Sequence, residues 1–189
     1  MRSEKIKNLV LAATFFAIGL VLPLITGQIP EIAQRLSPMH LPVLLCGMIC
    51  GWPYGLAVGF LLPVVRSLIF GMPVLFPNAV VMSFELAAYG FFAGLLYRLF
   101  LSAGWKKFFA VLVSLIVSMI LGRIVWGAVS WLVFKLFGAG QQVTWAYFFT
   151  KEFVDAVPAI IMQIVLVPTI VLSLDRQKTV VFAPDKRNY

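Results

Sequence analysis

The sequence predicts an all-α polytopic membrane protein: a six-helix transmembrane bundle with both termini cytoplasmic. Of its 189 residues, 62% are hydrophobic and only 12% are charged, about half the ~25% charged content of a typical soluble domain. Mean hydropathy is +1.01. The apolar residues gather into six segments, at about 8–26, 40–52, 54–71, 78–99, 108–137 and 152–174, against the roughly 20 residues that carry a helix across a bilayer. The chain has room for these spans but not for a soluble enzyme domain as well. Residues 1–189 are therefore expected to form a single membrane-embedded domain.

The first segment follows Arg2, Lys5 and Lys7, as a signal peptide would. Its apolar run, 9–25, is longer than a signal core and has no clean small-x-small cleavage site after it, so it is expected to be retained as a span. Residues 26–39 read as a polar, proline-containing connection. The second segment is short and closes on a tight turn at Trp52-Pro53. The third carries Arg66, and the fourth carries Glu85 inside "GMPVLFPNAVVMSFELAAYG" (71–90). The fifth exceeds what a bilayer needs and is expected to tilt or project beyond it. Cys46 and Cys50 lie four apart in an apolar run, in a chain with two cysteines and one histidine. They read as small buried residues, and neither a metal nor a cofactor is expected.

Charge gives the orientation. With the N-terminus inside, the cytoplasmic side receives Arg2, Lys5, Lys7, Arg98, Lys106, Lys107, Arg176, Lys178, Lys186 and Arg187, and the outer side only Arg35, Lys135 and Lys151. That asymmetry obeys the positive-inside rule. The net charge of +8 thus reports topology and anionic headgroups rather than nucleic acid.

The remaining ionisable residues share one half of the membrane. At 1.5 Å per residue, Glu85 lies roughly 10 Å and Arg66 roughly 7 Å below the outer boundary. Arg123 falls in the outer half of span five, His40 opens span two from outside, and Asp155 begins span six from outside. Asn78 and Glu85 share a helical face, with Met82 and Tyr89 beside them. Arg123 shares its face with Trp126, and Asp155 has Gln163 at the edge of its face. A carboxylate in hydrocarbon costs at least ~2.5 kcal/mol on the most lenient insertion scale, so Glu85 needs compensation. Aromatic and polar groups interleaved around a few charges suit a small-ligand pocket. The alternative is a structural ion pair of Glu85 with Arg66 or Arg123, although such pairs add little over apolar packing. His40, Asp155, Trp126 and Tyr89 also have plain interfacial or core readings.

No catalytic set presents itself. A single histidine excludes His-rich di-metal chemistry, and the chain contains no Ser-centred elbow and no HExxH. An enzyme is not expected.

"SPMHLPVLLCG" (37–47), "GWPYGLAVGFLLPVVRSLIFGMP" (51–73) and "LFPNAVVMSFELAAYGFFAGLLYR" (75–98) resemble the substrate-binding S components of energy-coupling factor (ECF) vitamin transporters. The resemblance covers most of the chain and is loosest over spans five and six. It implies a binding subunit that captures a vitamin from outside and works with a transmembrane T component and two cytoplasmic ATPases, which bind the ATP. It also implies a coupling surface on span one, where Ala13 and Ala17 fit the family's AxxxA pattern. Small residues four apart allow close helix approach, but Gly47/Gly51, Gly55/Gly59 and Gly90/Gly94 have the same spacing and can serve internal packing. The 26–39 and 72–77 connections are expected to gate the pocket.

The expected substrate-binding residues are His40, Arg66, Asn78, Glu85, Tyr89, Arg123, Trp126, Asp155 and Gln163, with Ala13 and Ala17 as partner contacts. Glu85 is expected to orient a polar ligand, partly balanced by Arg66 and Arg123. Two arginines that can hold a carboxylate in a bidentate fork lean the ligand towards pantothenate. Glu85, Asn78 and the aromatics equally suit a pyridoxine-type or hydroxymethylpyrimidine ring. The rival readings are an oligomeric proton-coupled transporter or channel, and a membrane scaffold. A prokaryotic plasma membrane is the expected location.

Overall fold

The computed structural model describes residues 2–26, 38–138, 150 and 156–176, and these form a helical bundle. The helices are α1 (Arg2–Thr26), α2 (His40–Cys50), α3 (Trp52–Phe70), α4 (Val80–Ser102), α5 (Lys107–Phe137) and α6 (Val157–Arg176). A π-helical turn, Leu75–Ala79, leads into α4 and carries a break in helical geometry at Phe76. The fourth apolar segment is thus helical over most of its length but begins with this turn. Five of the helical segments are long and apolar enough to cross a membrane. The exception is α2, whose 11 residues reach only about 16 Å.

That short helix is the centre of the bundle. Every residue of α2 except Leu41 is buried, and it packs on α1, α3, α4 and α6. A helix that is apolar all round belongs inside others, and "HLPVLLCGMIC" is such a sequence. Gly51, at φ 102°, turns the chain from α2 into α3, a conformation a side chain disfavours.

Helices α2, α3 and α4 meet backbone to backbone through glycine. A Cβ on Gly55 would lie 2.6 Å from both the Gly47 Cα and the Gly90 carbonyl oxygen. One on Gly94 would lie 2.6 Å from the Trp52 nitrogen, and one on Gly59 2.7 Å from the Ala87 nitrogen. Between membrane helices, where lipid is as apolar as leucine, such close approach is a main source of cohesion. The glycine pairs therefore serve the interior of the bundle.

The fully buried Leu44, Leu62, Leu86 and Leu115 fill the core. Two buried serines of α5 are satisfied locally: Ser114 donates to the Val111 carbonyl at 3.0 Å and Ser118 to that of Leu115 at 2.8 Å. At 31 residues, α5 would span about 46 Å, beyond the ~30 Å hydrocarbon layer. Its C-terminal end exposes Trp131, Leu136 and Phe137, and the Lys135 ammonium sits 4.8 Å from the centre of the Trp131 ring. That aromatic and basic pairing is characteristic of a membrane interface.

Candidate functional site

Helix α4 carries Glu85 and Tyr89 one turn apart, both in its buried face at 5% and 2% exposure. The first residue of α2 supplies the compensating group. His40 Nε2 lies 3.4 Å from Glu85 Oε1, and the His40 and Tyr89 rings sit 5.0 Å apart, tilted by 60°. His40 opens α2, and Glu85 lies on the buried face of α4, the helix against which α2 packs. That is why residues 45 apart in sequence meet.

Helix α5 forms the far wall. A Cβ on Gly122 would come within 2.6 Å of Tyr89 Cδ1, so the tyrosine ring packs closely on α5 at a glycine, where any side chain would force it to shift. Arg123, the next residue, is buried, and Trp126, one turn further along, is half-buried. Helix α6 presents Ala159, Gln163 and Val167 inward, a four-residue spacing that puts one polar side chain in an apolar stripe. Gln163 is 3% exposed. Asn78 is exposed in the π-helical turn. Asp155 lies outside the described residues, as do residues 27–37 of the expected 26–39 gate.

Arg66 is engaged elsewhere. Its Nη1 donates to the Leu20 carbonyl of α1 at 2.7 Å, and its guanidinium carbon sits 5.3 Å from the centre of the Phe70 ring. Among the described residues, Glu85's ionisable partner is His40 and not an arginine. Three features gave no sequence signal: the His40–Glu85 meeting, the Gly122 floor under Tyr89 and the Leu20 carbonyl as an acceptor for Arg66. Each depends on how neighbouring helices are set in depth and rotation, which single-helix periodicity does not encode.

The His40 contact engages one carboxylate oxygen. A carboxylate has about four acceptor sites, so Glu85 retains capacity for a ligand hydroxyl, amide or ring N–H. A shallow cleft is lined by Met48, Trp52, Tyr54, Tyr97 and Arg98. It lies at the C-terminal ends of α2 and α4, away from the His40–Glu85 pair.

A family of ECF transporter substrate-specific components matches residues 7–171. The chain belongs to this family. It is therefore an S component, a multi-pass membrane subunit for uptake of a vitamin-type small molecule, and not a member of a known enzyme family. Such a subunit works with a T component and ATPases. No individual curated protein matches the chain. The match runs through all six helices, including α5 and α6, where the resemblance of sequence motifs is loosest. In this S component, Ala13 and Ala17 are exposed on α1 while Ala12 beside them is buried.

Proposed function

We propose that this S component captures a water-soluble vitamin from outside the cell in a pocket built on the His40–Glu85 pair. The ligand passes to a transmembrane T component driven by two cytoplasmic ATPases in a prokaryotic plasma membrane. The observation that carries this is a carboxylate and an imidazole, both buried and in contact, within the membrane-spanning bundle of a binding subunit. Ionisable residues at such depth mark function by default.

Glu85 and His40 orient a ligand donor, and Tyr89, held by Gly122, supplies a ring face. Arg123, Trp126 and Gln163 come from the walls on α5 and α6, Asn78 stands at the exposed turn before α4, and Asp155 is a further candidate ligand group. A carboxylate held by Arg123 with hydroxyl or amide donors held by Glu85 describes pantothenate. A pyridoxine-type or hydroxymethylpyrimidine ring on Tyr89, donating to Glu85, is the next choice. The exposed Ala13/Ala17 face of α1 meets the T component.

The test is uptake in cells that do or do not coexpress the T component and ATPases, with pantothenate, pyridoxine and hydroxymethylpyrimidine supplied in turn. The reading predicts uptake of one of these and only with the partners present. Uptake driven by a proton gradient without them would contradict it.

A further inference from the structure

Helix α3 grips α1 along one stripe of side chains. The Tyr54 hydroxyl donates to the Lys5 carbonyl at 3.5 Å near the cytoplasmic end. In the outer half, Leu62 fills the space above Gly19, where a Cβ would fall 2.6 Å from Leu62 Cδ2. One turn further on, Arg66 donates to the Leu20 carbonyl at 2.7 Å. Residues 54, 62 and 66 are spaced by eight and four, which keeps them on one face of α3.

The Arg66 contact falls where α1 is weakest. Pro23 lies inside α1 and is buried. It brings no N–H, and its ring crowds the carbonyl four residues back, at Gly19, so the hydrogen-bond ladder is opened beside Leu20. The freed acceptor is the Gly19 carbonyl, and Arg66 holds the next carbonyl along, so it braces the helix beside the opening rather than filling it. The guanidinium suits this task, being always charged and rigid with five donors. Phe70 lies on one side of it, which limits its contact with lipid.

We propose that Arg66 is a positioning residue that splints α1 at its proline break and fixes the attitude in which α1 presents Ala13 and Ala17 to its transmembrane partner. This rests on the reading of α1 as the partner-facing helix. Arg66 then serves coupling, while ligand capture belongs to the cluster around His40 and Glu85. The splint also explains how the least buried of the long helices stays attached to the bundle while leaving its other face open.

The test combines hydrogen–deuterium exchange on the nanodisc-embedded protein with the yield of T component co-purified from coexpressing cells. Arg66→Met is expected to raise amide exchange over residues 16–24 and to lower T-component yield. The effect should be on the order of tenfold or more, as for loss of a hydrogen bond to a charged group. Arg66→Lys, which keeps a charged donor, is expected to fall between the two. Pro23→Ala restores the N–H to the Gly19 carbonyl and closes the opening that Arg66 braces, so Pro23→Ala/Arg66→Met should bring exchange and co-purification back towards the wild type. Where Arg66→Met fails to insert, Arg66→Lys with and without Pro23→Ala gives the same decision. Wild-type exchange in Arg66→Met, or a rise that Pro23→Ala does not reverse, would overturn the splint. Small molecules released by denaturing each variant alone, read by mass spectrometry, form a separate arm. Their loss in Arg66→Met with unchanged α1 exchange would return Arg66 to the pocket. Their absence from the wild type would count against the binding reading, leaving the exchange result to judge the splint.

Discussion

A carboxylate at the depth of Glu85 is costly unless something shares its charge or its hydrogen-bonding capacity. His40 does so through one oxygen at 3.4 Å, a long contact that leaves the carboxylate able to accept from a ligand. Glu85→Gln keeps the shape and removes the charge. It is expected to weaken vitamin binding by roughly ten- to a hundredfold, the worth of one charge-assisted hydrogen bond, as read by isothermal titration on the purified protein. Unaltered affinity would return Glu85 to a structural role. Gly122→Leu attacks the same site from behind. It forces the Tyr89 ring off α5 and is expected to lower vitamin affinity along with the stability cost usual for overpacking, so affinity is compared on the folded fraction. The anomaly of Glu85 was plain in the sequence, because one acidic residue in an apolar run has few explanations. Its partner was not, because the arginines stood nearer in estimated depth and the packing of α2 on α4 that brings His40 to Glu85 is not encoded in the periodicity of either helix.

Among the elements, α2, α3 and α4 form a rigid unit through glycine contacts, and α1 is fastened to it by a few side chains. The glycine spacings were visible in the sequence, but small-residue pairs read the same whether they face inward or outward. Rotation of each helix decides, and the structure turns Gly47, Gly55 and Gly90 inward and Ala13 and Ala17 outward. Two substitutions separate these roles. Gly55→Leu would drive a side chain into backbone that cannot yield. It should destabilise the bundle at or above the ~1–3 kcal/mol usual for overpacking, seen as a lowered melting temperature in detergent. Ala13→Trp lies on the open face and should leave melting and vitamin binding intact while abolishing uptake with coexpressed partners. Preserved uptake would remove this face from the coupling surface.

Across the whole molecule, the segregation of charge and the packing describe one design. The basic residues gather at one end, and the buried ionisable groups gather towards the other. All-α class and the approximate helix boundaries followed from apolar segment lengths alone. The break at Phe76 did not, since the apolar run continues through it. Topology can be checked directly, because the native Cys46 and Cys50 are fully buried. An impermeant maleimide should label a cysteine placed at Gly138 from outside intact cells, and one at Gly104 only after lysis. The most direct measurement of the central claim is mass spectrometry of the small molecules released when the protein, purified alone in detergent, is denatured. The binding-subunit account predicts one water-soluble vitamin at close to one molecule per chain, lost or much reduced in Glu85→Gln. A preparation that releases none, and then fails to bind any added B vitamin, would contradict it.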